Sequence, residues 1–511
     1  MTLLSTIDTI RLKASEGLDH KRKSSLGQFF TPSGIAGFMA SLFESIEGEV
    51  RLLDPGCGIG SLTAAFLAEA VHRQKLSRLE AIAYELDAGL LPELTDSLEA
   101  CQLVAQERAL SFDYQVVNED FLIKSSIDLR LPGFDLRTQG FTHVIMNPPY
   151  KKISTKSEHR LALHEVGLET VNLYTGFIAM AIKWMKPGGE LVAIVPRSFC
   201  NGPYYQPFRE FLLREMDLRH LHIFDKRNQA FEDVLQENVI LHGIKAPHQG
   251  EVTITASPSA QFQRDAATGR CLTPEMTRRQ VPFESVVQPE DPHAFIHIVA
   301  NEAEQAVIDR LSCFTATLGD LGLQVSTGPV VDFRLKEDLR DDLEAGAVPL
   351  LYPLHLNGGI HWPKVNKKAN AIRVSPQSRS WLWANQGHFV LTRRFSAKEE
   401  KRRIYASLYD ASLPGELIGF DNKLNVFHAR KKGLPADVAK GLYVYLNSSL
   451  LDRYYRQFGG HTQVNATDLR NINYPGLESL QHLGKQVQGL HLDQQKIDQL
   501  IDQEIERRTQ P

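Results

Sequence analysis

The stretch "VRLLDPGCGIGSLTAAFLAEAVHRQK", residues 50–75, passes from an apolar run through three glycines into a segment of helical period. It reads as strand, tight turn and helix. Glycines in such a turn let backbone N–H groups approach a ligand closely. A dinucleotide or Walker loop would need GxGxxG or GxxxxGK spacing. Here Gly56, Gly58 and Gly60 form GxGxG, with a carboxylate, Asp54, at the strand end. An acid there suits a ligand carrying an ammonium rather than a pyrophosphate.

The same alternation continues outward. "LEAIAYE" (79–85), "YQVVNED" (114–120), "FTHVIMN" (141–147) and "GELVAIVP" (189–196) read as buried strands, and "LYTGFIAMAIKWMKPGG" as a helix with its stop. Strand–helix–strand repetition predicts an α/β fold, a parallel sheet with helices on both faces. "LRHLHIF" and "NVILHGIK" would add edge strands as an antiparallel hairpin.

Three strand ends then carry a pattern. Asp54 suits an ammonium, and Glu85 can accept both ribose hydroxyls of a nucleoside. Asp120 can accept from an adenine amine, while Phe121 covers the ring. Each alone is weak, since an acid at a strand end is an ordinary helix cap. In order on consecutive strands they outline an adenosine with an amino-acid tail, S-adenosylmethionine (AdoMet).

The chain's 511 residues, with 42% hydrophobic and 23% charged, describe a globular protein of two or three domains. The apolar runs are strand-length, so no membrane span is expected, and the N-terminus lacks a signal-peptide layout. Five scattered cysteines without a CxxC pair argue against zinc and disulfides and fit a reducing cytoplasm. No metal is expected. The net charge of −4 gives no overall pull toward nucleic acid, although a local basic surface could still supply one.

At "GQFFTP" (27–32), "DPGCGIGSL", "AYELD", "EDF", "NPPY" (147–150) and the helix that follows, the chain resembles the amino-group DNA methyltransferases. The motif order is similar to the γ-class adenine-N6 methyltransferases of type II restriction–modification systems. "VSTGPVVDFR" (325–334) and "GGHTQVNATDLRNI" (459–472) resemble, more loosely, the Eco57I/PstI/PaeR7I-like modification methylases. The resemblance implies an AdoMet-dependent, Rossmann-like catalytic domain over 1–245. The polar, Pro- and Gly-containing texture reads as a linker or irregular region at 246–290, the short irregular segments after it as a mixed α+β domain at 291–475, for which the resemblance implies target recognition, and the helical spacing of Leu and Ile as a helical tail at 476–511. The resemblance implies that Gly27 and Thr31 lie at the methionine end of AdoMet with Asp54, Gly56, Gly58 and Gly60. Glu85 would hold the ribose, and Asp120 and Phe121 the adenine. Phe231, in "NQAFEDV", would stack on the target base.

"NPPY" has a chemical reading of its own. An adenine N6 lone pair is delocalised into the ring. Asn147 Oδ1 and the Pro148 carbonyl can accept the two N6–H bonds and localise it, on a backbone stiffened by Pro148 and Pro149. Tyr150 supplies a flat face. An adenine inside a duplex must be extruded to reach such a pocket. The resemblance implies double-stranded DNA as the partner.

Basic stretches downstream could contact it: Lys367 and Lys368, Arg393 and Arg394, Arg430 and Lys431, Arg453, and His461, Gln463 and Asn465. A solvated charged face is the plain alternative for each. No endonuclease motif is visible, so the chain is expected to modify only, as monomer or homodimer, either beside a separately encoded restriction enzyme or as a solitary enzyme. Methylation of RNA or protein glutamine, or an inactive DNA-binding subunit, remain alternative functions at this level.

Overall fold

The computed structural model of the protein describes residues 2–17, 30–224, 237–265, 271–289, 291–365, 368–396, 400–458, 463–487 and 492–509. Gly27, Phe231, Lys367 and His461 lie outside the described residues. The chain divides into two compact units, Met1–Asn301 and Glu302–Pro511. No helix among the described residues is long and apolar enough to cross a membrane.

The first unit is built on one sheet. Its strands are β1 (Gly48–Pro55), β2 (Leu76–Tyr84), β3 (Ser111–Val117), β4 (Phe141–Met146), β5 (Met185–Pro196), β6 (Asp217–Phe224), β7 (Asn238–Ile244), β8 (Glu251–Ser257) and β11 (Thr277–Pro282). β9 (Gln263–Arg264) and β10 (Cys271–Leu272) form a separate small pair. The nine strands run in the order β11-β8-β6-β7-β5-β4-β1-β2-β3. β1 pairs in parallel with both β2 and β4. The strand order therefore reverses at β1/β4, and the carboxyl ends on either side of that switch form the crevice where open α/β sheets bind ligands.

Both faces are covered, so the strands read as near-continuous apolar runs. Leu53, Val144, Met146 and Ala193 face one core with the helices Phe121–Asp128 and Leu173–Trp184. Leu52, Ile145, Val192 and Ile194 face the other with Ser33–Ser41, Ser61–Arg73 and Leu91–Glu107. Helix Leu173–Trp184 is apolar almost all round because other elements enclose it. At Gly176 a Cβ would stand 3.2 Å from Leu163 and 3.4 Å from Leu122, so this glycine lets helices Glu158–Glu165 and Phe121–Asp128 close in.

Two expectations change. β6 and β7 do pair antiparallel, yet neither is an edge: β7 inserts between β5 and β6, and the edges are β3 and β11. Residues 246–290, expected as a linker, contain β8 and β11 of the main sheet. "EVTITAS" looks too polar for a buried strand because its inward side chains serve a polar network. Thr255 Oγ1 lies 2.7 Å from His220 Nε2 and 2.8 Å from His222 Nδ1, and Ser257 Oγ lies 3.2 Å from His222 Nε2.

The second unit is mixed α+β. A four-stranded antiparallel sheet holds Gln324–Thr327, Leu424–His428, Phe389–Arg393 and Ala406–Tyr409 in that order. A five-stranded sheet accompanies it. The tail forms helices Leu477–Lys485 and Gln494–Thr509, and their Leu480, Leu483, Ile497 and Leu500 belong to this unit's core. Gly484 and Gly441 permit the close helix crossing: added Cβ atoms would fall 1.8 Å from the Asp437 carbonyl oxygen and 1.9 Å from that of Leu480.

Candidate active site at the strand ends

Four consecutive strand ends converge on one cavity of about 190 Å³, lined by Phe30, Thr31, Gly56, Gly58, Ser61, Glu85, Asp120, Phe121, Asn147, Pro149, Lys151, His159 and Phe177 among others. β1 delivers the glycine loop. Gly56 and Gly58 have φ of +74° and +58°, and a Cβ on Gly58 would lie 3.2 Å from the Phe30 ring. Side chains are excluded there for conformation and for space. The N–H groups of Gly56 and Cys57 both donate to the Tyr84 carbonyl at 2.9 Å, which fastens the loop to the end of β2.

Asp54 is 1% exposed. Its Oδ2 accepts from Thr63 Oγ1 at 2.8 Å and from the Thr63 N–H at 3.2 Å. Its Oδ1 is buried and meets no donor among the described residues. Burial pushes its pKa up to about 7, against the Thr63 hydrogen bonds. A half-satisfied buried carboxylate is costly unless a donor or cation completes it. The ammonium of an amino-acid tail is such a group, so these residues fit the cofactor expected from sequence.

Glu85 is held from both sides: Oε1 accepts from the Asp87 N–H at 2.7 Å and Oε2 from the Gly58 N–H at 2.9 Å. Burial nonetheless raises its pKa. Asp120 caps helix Phe121–Asp128, with Oδ1 accepting from Leu122 and Ile123 at 3.0 and 3.1 Å. Its Oδ2 lies 2.7 Å from His159 Nε2. Burial works to raise its pKa, but the His159 bond and the two amides outweigh it and hold the carboxyl below its usual range. Phe121 meets Tyr84 edge-on at 5.1 Å and lies tilted to Phe177 at 5.2 Å. His159 escaped the sequence reading. It sits in a stretch without a motif, 39 residues from its partner.

β4 delivers Asn147. Its Nδ2 donates to Thr31 Oγ1 at 3.1 Å, which joins the end of "GQFFTP" to "NPPY". The Tyr150 hydroxyl lies 2.9 Å from Asn147 Oδ1 and 3.1 Å from the Ile194 carbonyl oxygen. Pro148 is buried, while Pro149 lines the cavity. Tyr150 is half-buried, edge-on to Tyr174 at 6.1 Å, and burial pushes its pKa up, so it is a neutral donor.

The downstream candidates separate into two groups. Lys368 pairs with Asp332 at 2.6 Å. Arg393 donates to the Leu356 carbonyl at 2.6 Å, and Arg394 to that of Asn422 at 3.4 Å. Asn465 caps helix Ala466–Arg470 in a capping box with Asp468, and Gln463 bridges to Phe395. The Lys368, Arg393, Arg394 and Asn465 side chains thus have partners within their own unit, whereas the Gln463 bridge is made by its backbone. Arg430, Lys431 and Arg453 are exposed. Arg430 and Lys431 occupy a turn at φ of +50° and +65°, closed by paired Ala429–Lys432 backbone bonds of 2.9 Å. His428, missed as a single residue, holds that turn: Nδ1 accepts from the Lys431 N–H at 3.0 Å and Nε2 lies 2.9 Å from Ser326 Oγ.

The chain is similar to known proteins. The family model described as Eco57I restriction-modification methylase matches residues 69–231. The type II methyltransferase M.PstI of Providencia stuartii is 42% identical over 505 residues, covering 98% of this chain and 97% of its own. M.BsuBI of Bacillus subtilis is 44% identical over 497 residues, covering 95% and 94%. The type IIL restriction–modification enzyme MmeI, solved in complex with DNA, shares the fold with a TM-score of 0.53 at 11% identity, over 99% of this chain and 74% of that one. With identity at the level of M.PstI and M.BsuBI along nearly its whole length, the chain belongs to the type II restriction–modification methyltransferase family.

Proposed function

We propose that this protein is a site-specific DNA methyltransferase that transfers the methyl group of AdoMet to N6 of an adenine extruded from duplex DNA. The observation that carries the reading is the position of Asn147. It stands at the end of β4, on the wall of the cavity that the glycine loop, Glu85 and Asp120 also line. Its relatives are named as type II methyltransferases, which supports the reading.

AdoMet supplies an electrophilic methyl on a sulfonium. Asp54 would hold the ammonium end, Glu85 the ribose, and Asp120 with Phe121 the adenine. Asn147 Oδ1 and the Pro148 carbonyl accept the N6–H bonds of the target adenine, which turns its lone pair toward the methyl. When bound, AdoMet would supply the methyl to N6, the C–S bonding electrons remaining on sulfur. One N6 proton then leaves to solvent. Orientation of the two reactants contributes most of the rate. Tyr150 stacks on the extruded base; Phe231, expected from sequence to share that role, lies outside the described residues.

The second unit reads the site on DNA, with Arg430, Lys431 and Arg453 as its exposed basic contacts. The protein acts in the cytoplasm as monomer or homodimer, beside a separately encoded endonuclease.

Incubation with methyl-labelled AdoMet and mixed-sequence duplex DNA should place label in N6-methyladenine. Label only in RNA or protein, or none at all, would sink the proposal. Asn147→Ala should abolish transfer while keeping AdoMet binding.

A further inference from the structure

Both oxygens of Asp120 are committed. Oδ1 caps its own helix, and Oδ2 takes His159 Nε2 at 2.7 Å. His159 rides on helix Glu158–Glu165, in the segment that leaves the "NPPY" motif. That segment is closed at its base, where the Ile153 N–H donates to the Val171 carbonyl at 2.9 Å and the Leu173 N–H to that of Lys151 at 2.8 Å. It is also pinned to the helix that Asp120 caps, since Ser126 Oγ donates to the Ala162 carbonyl at 2.8 Å. Lys151 and His159 both reach the cavity wall. The loop that carries the catalytic motif outward thus folds back over the adenine end of the cofactor site.

We propose that His159 is a positioning residue for AdoMet, fixing Asp120 Oδ2 so that its remaining lone pair faces the adenine amine and tying the loop beyond Tyr150 to the filled cofactor site. This rests on the AdoMet reading above. A carboxylate oxygen has two acceptor positions. The imidazole takes one and leaves the other for an N–H donor. Pairing with His159 also keeps Asp120 ionised, and therefore acceptor-only.

The groups facing His159 are Asp120 from the opposed helix, Glu158 on its own helix and Lys151 from the loop. The Asp120 hydrogen bond raises the His159 pKa against partial burial. The imidazolium is therefore present below that raised value and is lost as pH rises through it. AdoMet affinity should weaken over the same range.

The test is calorimetric AdoMet binding between pH 6 and 9, with steady-state kinetics on DNA, for wild type, His159→Ala and His159→Gln. His159→Ala should raise the AdoMet Kd and KM about tenfold, the scale of one charge-assisted hydrogen bond, with kcat changed less than about twofold. His159→Gln keeps an N–H donor. It should bind within about threefold of wild type and lose the alkaline weakening that His159 contributes. The cofactor's own amine titrates in every variant, so the difference between profiles isolates His159. An unchanged Kd in His159→Ala, or a wild-type pH profile in His159→Gln, overturns the inference. If His159→Ala does not fold, the glutamine profile alone decides. Wild type that fails to bind AdoMet overturns the cofactor reading itself, a separate result.

Discussion

The Tyr150 hydroxyl lies 2.9 Å from Asn147 Oδ1, the atom that the proposed chemistry assigns to the target amine. It also lies 3.1 Å from the Ile194 carbonyl oxygen. A phenol has one proton, so it donates to one of these at a time. Shifting that proton to Ile194 withdraws the Tyr150 donor from Asn147 Oδ1.

Two roles of Tyr150 can therefore be separated. Tyr150→Phe keeps the ring and removes the competing donor, so kcat/KM should stay within about tenfold of wild type. Tyr150→Ala removes the stacking face, worth ~1–3 kcal/mol per base, and should lower kcat/KM by roughly 10–100-fold. Steady-state rates on a duplex carrying the cognate site check both. Equal loss in the two variants would contradict the stacking role.

Asp54 links cofactor affinity to pH. Burial lifts its pKa to about 7, and an ammonium needs the ionised form. AdoMet affinity should fall as pH drops below that value, by up to about tenfold per unit. Asp54→Asn should bind weakly and lose this dependence. Its stability should move the other way. A carboxyl whose folded pKa is raised contributes stability that is full below the unfolded value and is lost as pH rises through the folded one. Replacing it with a neutral amide should thus raise the Tm of the cofactor-free protein at pH 8. Calorimetry and thermal melts read the two effects independently.

Acid should unfold the first unit early. Burial lowers His222 to about 3 and His220 well below its usual range, with neighbouring His222 and His242 adding to the effect at His220. In their neutral forms His222 is buried and His220 half-buried, both edge-on to Phe38 and bonded to Thr255. A base whose folded pKa is depressed leaves stability intact above the unfolded value, about 6.5. Stability is then lost as pH falls toward the folded one, at most ~1.4 kcal/mol per unit for each such histidine. Melts between pH 7.5 and 5 should show a falling Tm, and His222→Gln should flatten part of that fall.

The basic turn should matter to DNA and not to AdoMet. Arg430 and Lys431 hold left-handed backbone, which costs a non-glycine residue roughly 1–2 kcal/mol. Changing both to Gly should maintain or raise the Tm. DNA affinity should fall, with the salt dependence reduced by about two phosphate contacts. Titrations at several salt concentrations measure this. An unchanged slope would remove the turn from the DNA surface.

Much of the site was legible because its signals are local. Asp54, Glu85, Asp120 and Asn147 each end an apolar run, and a run of that kind makes a strand wherever the sheet places it. Glycines follow Asp54 because a tight turn needs positive φ there. None of this requires knowing which strands are neighbours.

Pairing over distance was not legible. His159 reaches Asp120 only because helices Glu158–Glu165 and Phe121–Asp128 pack together. β8 looked like linker because its Thr255 and Ser257 answer histidines of another strand. Lys368 and Asn465 read from sequence as candidate DNA contacts, and the fold sets Asp332 and Asp468 beside them. The sequence by itself determined the succession of strands from β1 to β5 and the chemistry carried at their ends, since periodicity and turn residues act over a few positions. Only the tertiary structure decided which polar side chains satisfy one another, because a buried donor or acceptor takes its partner from whatever the packing brings within about 3 Å.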